Sequence, residues 1–427
     1  MLDVSDQNQI IALIQREVVP AIGCTEPVAV ALCVAKATEI LGTVPEKIGV
    51  ALSPNMLKNA MGVGIPGTGM IGLPIAIALG AICGRSDYQL EVLRDVDAEA
   101  VEKGRRYVDE GRISITLKKD IPEKLYIEVV CNAGPDVATA VIAGGHTRFV
   151  YAARNGEVLL DGAAEAGASD DDAEVALTLA KVYEFATTTP LDKISFIYEA
   201  ARLNKAAAEV SMHGNYGHSL GRIISSEHGR KMMGDSMFAH ILAYTSGACD
   251  VRMGGAMVPV MSNSGSGNQG ISATVPVVIY GERNGNTEEQ LIRALALSHL
   301  TVIYIKQKLG RLSALCGCVV AATGSSCGIT YLMGGRYEHV TFAVKNMVAN
   351  LTGMICDGAK PSCALKVTSG VSTAVYAALM AIENATVSSL EGIVDDDVDK
   401  SIDNLTRIGS HAMQETDREI LDIMLSK

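Results

Sequence analysis

The chain has 427 residues, 48% of them hydrophobic, 20% charged and only 4% aromatic, with no tryptophan. That length gives room for two or three domains, or for one large core with a smaller inserted one, built from Ala, Val, Ile, Leu and Met. A formal net charge of −12 excludes the basic face that nucleic acid or an anionic membrane surface requires, and leaves a small soluble molecule as the expected partner. The opening MLDVSDQNQ is acidic and polar and shows no basic-then-apolar signal pattern. A cytoplasmic location is expected. In a reducing compartment ten cysteines are free thiols or metal ligands rather than a disulfide framework.

Residues 6–42 read as two helices around a break. IIALIQREVV has apolar residues at helical spacing, Pro20 stops it, and GCTEPVAVALCVAKATEILG restarts it. Thr25 is the expected N-cap, with Pro27 in the first turn and Gly42 ending the helix. Cys24 then stands at a helix N-terminus, where the macrodipole would favour a thiolate; an ordinary turn that happens to hold a cysteine is the alternative. Gly67, Gly69 and Gly72 match G-x-G-x-x-G, but NMLKNAMGVGIP before them is no strand, so a dinucleotide site is rejected and only an anion-binding loop is left open.

From 87 to 162 charge rises and alternating segments appear: RISITLKK, KLYIEVVC and TRFVYAARNGEVLLDG, with Asn155-Gly156 as a hairpin turn. These predict a small α+β domain with an antiparallel sheet. GASDDDAE (167–174) reads as a solvated linker. The chain is helical again from 174 to 245, and the histidines there, His213 and His218 among them, match no metal-site spacing. The apolar runs 71–83 and 313–324 are too short to span a bilayer and read as buried helices. No membrane contact is expected.

The segment 254–278 interleaves Ser262, Asn263, Ser264, Ser266, Asn268 and Gln269 with glycines between apolar runs. It reads as a flexible, donor-rich loop fit to hold a carboxylate or ammonium group. One long helix, EEQLIRALALSHLTVIYIKQKL, leads from it into GRLSALCGCVVAATGSSCG and GMICDGAKPSCALK. Cysteine is often only a small buried hydrophobe. Here Gly317, Gly328, Gly358 and Pro361 surround Cys316, Cys318, Cys327, Cys356 and Cys363, and such neighbours let the backbone turn sharply enough to bring several sulfurs to one point, as an iron–sulfur or zinc site requires. Thiolates at Cys316, Cys356 and Cys363 would leave one iron of a [4Fe–4S] cluster without a protein ligand, and an open iron is a Lewis acid that can take a leaving hydroxyl or thiol while a base, Cys24, removes an α-proton. With Asn263, Ser264 and Asn268 gripping the amino acid, and Thr25 and Glu26 beside Cys24 as further substrate contacts, the parts make an α,β-elimination site.

GCTEP (23–27), SNSGSGNQG (262–270), GRLSALCGC (310–318) and CDGAKPSC (356–363) together resemble the L-cysteine desulfidase family, and more distantly the α-chain of iron–sulfur-dependent L-serine dehydratases. The likeness covers nearly the whole chain. It implies a [4Fe–4S] cluster on Cys316 or Cys318, then Cys356, then Cys363; the spacing of forty between Cys316 and Cys356 favours Cys316, whereas Gly317-Cys318 matches the local context. The gap from Cys356 to Cys363 is shorter than in the dehydratases. Where those carry a histidine motif near the substrate, this chain has Cys24, and its last residues, IMLSK, hold no cysteine to occupy an open iron; both departures point to the desulfidases. Pyridoxal phosphate is not expected, because no lysine stands in a clear cofactor context.

The sequence therefore predicts an α+β protein, with a mainly helical, serine-dehydratase-α-like catalytic domain from 1–86 and 174–427 and a small α/β domain with its linker at 87–173. The expected activity is degradation of L-cysteine to hydrogen sulfide, ammonia and pyruvate by a homodimer. L-serine dehydration and a non-catalytic zinc or thiol protein are the alternatives.

Overall fold

The computed structural model describes residues 2–118, 121, 123–162, 175–310 and 312–426; the acidic stretch 167–174 lies outside them. Its architecture is α+β. α1 (Val4–Glu17) runs through a short strand, β1 (Pro20–Ile22), into α2 (Thr25–Leu41), followed by β2 (Lys47–Leu52), α3 (Pro54–Ala60), α4 (Leu73–Ile82) and α5 (Ala98–Asp109). Five strands come next, β3 (Ile113–Leu117), β4 (Tyr126–Ala133), β5 (Asp136–Ala143), β6 (Phe149–Arg154) and β7 (Glu157–Asp161). The helices α6 (Leu179–Thr188), α7 (Leu191–Ile194), α8 (Tyr198–Ser211), α9 (Leu220–Ile224), α10 (Glu227–Met233) and α11 (Met237–Met253) then lead to β8 (Pro259–Met261). After it come α12 (Gly267–Asn284), α13 (Glu288–Leu309), α14 (Gly317–Leu332), α15 (Tyr337–Leu351), α16 (Cys363–Ile382), α17 (Val398–Arg407) and α18 (Gln414–Leu425).

The break at Pro20 and the stop at Gly42, which takes a left-handed φ of 84°, lie where the sequence puts them. The N-cap of α2 is Cys24 rather than Thr25, which is the first helical residue. Asn155 and Gly156, with φ of 50° and 85°, turn β6 into β7 as an Asn-Gly hairpin does. The main sheet runs β3-β2-β4-β5-β6-β7. It is mixed rather than antiparallel, because β2 lies between β3, which it pairs in parallel, and β4, which it pairs antiparallel. β2 comes from outside 87–173, and the sheet's inner face packs on α2 and α4 in a core of small aliphatic residues such as Val30, Ala31, Ala76, Val129 and Ile142. A second, larger core joins α8, α11, α12, α13, α14 and α16.

α16 is 20 residues long with a mean hydropathy of 1.4, enough by length and composition to cross a bilayer. Half of it is buried in the protein, against α11, α14 and α15. It carries Cys363 at its first position.

The two cores are stitched together by β1 and β8. They pair antiparallel, with Pro20 opposite Met261 and Ile22 opposite Pro259. Beyond the ladder Ser262 N and Oγ both donate to Val19 O, Ser264 N donates to Glu17 O, and Thr25 Oγ1 donates to Gly265 O. This seam sets the start of α2 beside the start of α12.

Candidate active site

A cavity of about 110 Å³ opens where the N-termini of four long helices meet. Cys24, the N-cap of α2, lines it, as do Ser266, the N-cap of α12, Cys316, the N-cap of α14, and Cys363, the first residue of α16. Cys24, Cys316 and Ser362 make no side-chain capping bond. At α16 the first N–H groups turn back to the preceding loop, with Cys363 N donating to Lys360 O, Ala364 N to Pro361 O and Leu365 N to Ser362 O, so the uncapped starts at the cavity are those of α2 and α14. Aligned peptide dipoles give each start a partial positive charge. Arg252, Lys306 and Lys366 add cationic side chains to the wall, against one carboxylate, Glu26. The field favours thiolates and anionic ligands.

The cysteines are placed by backbone bonds. Leu315 and Ile355 form an antiparallel bridge, Cys316 N donates to Met354 O at 2.9 Å, and Cys356 N donates to Ala314 O at 2.6 Å. Cys316 and Cys356 therefore stand side by side on the paired backbone. Gly358, with φ of 89°, turns the chain back toward Cys363, and a Cβ there would lie 2.3 Å from Lys58 O. Asp357, flanked by Lys360 and Lys366, holds the loop: burial works against its charge, but the two ammonium groups prevail and keep its carboxyl at about 2. Cys318 also lines the cavity, but its Sγ donates to Lys366 O and touches Met354 Sδ. Cys316 and Cys318 both line the cavity, and the backbone bonds of Cys316 to Met354 and of Cys356 to Ala314 set Cys316 beside Cys356.

Cys316, Cys356 and Cys363 in isolation resist ionisation. The bond with Cys318 and burial push Cys316 up; the bond with Cys316 and burial push Cys356 well up; burial raises Cys363. Among the described residues no three Cys, His, Asp or Glu side chains converge on one point closely enough for a single metal ion. Cys316, Cys356 and Cys363 line one cavity instead.

Cys24 lines the same cavity and is only 1% exposed. Its Sγ donates to Glu26 Oε2 at 3.0 Å, and Glu26 Oε1 accepts from Asn59 Nδ2 at 3.2 Å. The lowered thiol pKa expected from the helix start is not what the structure shows. Burial pushes the Cys24 thiol well up, the Glu26 carboxylate adds to this, and Arg252 only partly offsets them. Desolvation of a thiolate outweighs a helix dipole here. Cys24 is a protonated thiol with its proton aimed at a carboxylate.

The other expected substrate contacts divide. Glu26 and Asn268 line the cavity; Thr25, Asn263 and Ser264 do not. The stretch read as a flexible loop is mostly strand and helix, since β8 ends at Met261 and α12 begins at Gly267. Its polar groups are spent on the seam. Fully buried Asn263 donates through Nδ2 to His299 Nδ1 at 3.0 Å and His299 O at 3.1 Å, and accepts from Ser264 Oγ. Asn263→Ala is accordingly expected to lower stability by about 2–3 kcal/mol, through the buried groups it leaves unpaired, and to leave substrate affinity alone; thermal melts and KM measured side by side check this.

His299 gives the protein a pH dependence. Burial lowers its pKa from 6.5 to about 3, so between those values the unfolded chain binds a proton that the folded chain refuses. Stability from this group is complete above about pH 6.5 and is lost as pH falls toward 3, by about 5 kcal/mol in all. Urea unfolding at pH 7 and pH 4 measures it.

Sequence reasoning passed over Arg252 and named Gln269 only as a loop donor. Arg252 ends α11 and is 3% exposed, and Gln269, in the first turn of α12, is 5% exposed; both line the cavity.

Comparison with known proteins supplies the family. The serine dehydratase alpha chain model matches residues 87–422. The chain belongs to the serine dehydratase alpha chain family. That stretch holds Cys316, Cys356, Cys363 and Arg252, while Cys24 and Glu26 come from the segment before it. The chain is 70% identical over 423 residues to a UPF0597 protein of Bacteroides fragilis, covering 99% of each. It is 57% identical over 432 residues to a UPF0597 protein of Porphyromonas gingivalis, covering all of both, and 47% identical over 424 residues to one of Oleidesulfovibrio alaskensis, covering 98% of each. Membership in the serine dehydratase alpha chain family places the chain with lyases; the relatives' names specify no substrate.

Proposed function

We propose that this protein is an iron–sulfur-dependent cytoplasmic lyase that converts L-cysteine to hydrogen sulfide and 2-aminoacrylate, which water then takes to pyruvate and ammonia. The observation that carries the reading is one cavity lined by Cys316, Cys356 and Cys363 together with the hydrogen-bonded Cys24–Glu26 pair.

The donor set fits a [4Fe–4S] cluster. Three soft thiols line one cavity, and cations and helix N-termini on the same wall would offset the negative charge of bound thiolates. Because burial holds the free thiols protonated, loading the site releases protons, and affinity rises with pH. When bound to Cys316, Cys356 and Cys363, the cluster supplies one iron without a protein ligand, a Lewis acid for the departing sulfur.

The chain's own groups do the remaining work. Cys24 Sγ passes its proton to Glu26 Oε2, 3.0 Å away, and the thiolate then removes the α-proton of the substrate. Asn59 steadies the receiving carboxylate through Oε1. Arg252, close enough for its charge to favour the Cys24 thiolate, assists the first transfer. The near-complete burial of Cys24 keeps water from competing for the base.

One observation favours a second substrate, L-serine: the matching family model is that of a serine dehydratase chain. The two readings share the cavity and differ in the leaving atom, sulfur or oxygen. Anaerobically reconstituted protein assayed for pyruvate with each amino acid separates them. A kcat/KM for L-cysteine at least about 100-fold above that for L-serine is expected; the reverse ratio makes the protein an L-serine dehydratase. An expected difference of that size corresponds to about 3 kcal/mol in transition-state stabilisation.

A further inference from the structure

A buried arginine is normally paired, because an unpaired charge out of water is strongly unfavourable. Arg252 is buried and among the described residues has no hydrogen bond or ion pair; its Nε is buried with no acceptor. The carboxylates nearest in sequence and in the cavity are engaged elsewhere. Asp250, two residues back on α11, accepts from His218 N and Gly221 N. Glu26 accepts from Cys24 and Asn59.

Two more polar atoms on the same cavity wall lack partners, and both are acceptors: Asn268 Oδ1 and Gln269 Oε1. The wall therefore offers one guanidinium donor without an acceptor and two amide oxygens without a donor. An α-amino acid is the complement, with a carboxylate and an ammonium group one carbon apart.

The packing looks arranged for this. At Gly267 a Cβ would lie 2.2 Å from Arg252 Nε and 2.8 Å from Cζ, so only glycine lets the guanidinium lie along the first turn of α12. At Gly317, the residue after Cys316, a Cβ would meet Gln269 Cδ at 3.0 Å. Both amides and the arginine are thus held at the mouth of α12, whose N-terminal dipole adds to the pull on an anion.

We propose that Arg252 is the anchor for the substrate's α-carboxylate, with Asn268 Oδ1 and Gln269 Oε1 accepting from its α-ammonium. The inference rests on the amino-acid lyase reading for its substrate class. It replaces Asn263 and Ser264 as carboxylate holders with a residue that carries a full charge. It also sets a specificity rule: free α-amino acids enter, whereas amides and esters of the same amino acids are rejected, because they leave the guanidinium buried and unpaired.

The test uses anaerobically reconstituted protein and calorimetric titration with L-alanine, which carries both groups but no leaving atom, and with L-alaninamide, which lacks the carboxylate. Wild type is expected to bind L-alanine about 100-fold more tightly than L-alaninamide, about two tenfold steps of affinity. Arg252→Gln should abolish that preference, and Arg252→Lys, which keeps charge but not the two-pronged donor, should keep part of it. The comparison in wild type alone needs no variant to fold. Equal binding of the two ligands by wild type, no binding of L-alanine, or an undiminished preference in Arg252→Gln overturns the anchor. Turnover of L-cysteine with an unchanged KM in Arg252→Gln also sinks the anchor and keeps the lyase; discrimination that Arg252→Gln removes, in a protein that leaves L-cysteine and L-serine intact, sinks the lyase and keeps the anchor.

Discussion

Cys356→Ala is expected to fold, to bind far less iron than wild type after reconstitution, and to lose at least about 1,000-fold in L-cysteine turnover, since the Lewis acid it helps to hold is worth several kcal/mol in the transition state. Folding should survive because the main chain at this position is fixed by other groups. Cys356 N donates to Ala314 O, Lys58 Nζ donates to Cys356 O, and the Asp357–Lys360–Lys366 group closes the loop behind it. Cys316→Ala and Cys363→Ala should behave alike. Cys318→Ala is the decisive control, because its sulfur is turned to Lys366 O and Met354; iron content and turnover there should stay within about two-fold of wild type, on the scale of a lost neutral contact. Iron analysis and pyruvate release on the four variants decide between Cys316 and Cys318 directly.

The second large effect is at Cys24. Cys24→Ala should keep its iron and lose turnover by about 1,000-fold, within the range for a positioned base. The retained iron separates it from the Cys316, Cys356 and Cys363 variants. Because burial and then Glu26 raise the thiol pKa, Cys24 holds its proton near neutrality and passes it within the Cys24–Glu26 pair rather than to solvent, so kcat/KM should stay level from about pH 7 to about pH 9. In Glu26→Gln the internal acceptor is gone and Cys24 must lose its proton to solvent, so the rate should fall near neutrality and climb as pH rises. A Glu26→Gln profile as level as that of wild type would show that Cys24 is not the base.

Much of the site could be read from local sequence, and the failures have physical causes. The glycine and proline pattern around Cys316, Cys356 and Cys363 was legible because sharp turns leave a residue signature, and so was the Asn155–Gly156 hairpin. The helix start at Cys24 was legible too, shifted by one residue. Its acid strength was not, because burial is a property of the assembled core and no local pattern reports it. β2 and β5 escaped notice: KIGVAL lies among helices and pairs with strands more than sixty residues away, including Ile113 of β3, and DVATAVIA lacks the alternation of a half-buried strand because β5 becomes buried on both faces toward its end. The mixed sheet follows from that missed strand. In 254–278 the polar composition signals hydrogen-bonding capacity but not its partners: Ser262, Asn263 and Ser264 serve the β1–β8 seam and His299, while Asn268 and Gln269 line the cavity. Arg252 left no signal at all. An arginine in the last turn of a helix is ordinary in sequence, and only the tertiary structure shows that it is buried with no counter-charge among the described residues.

The most direct test of the whole reading is to reconstitute the wild-type protein anaerobically, count iron and acid-labile sulfide per chain, and measure pyruvate and hydrogen sulfide from L-cysteine on the same sample. About four irons per chain, with sulfide and pyruvate released in equal amounts, is the expected result. A chain that takes up no iron, or that fills with iron and leaves both L-cysteine and L-serine unchanged, would contradict it.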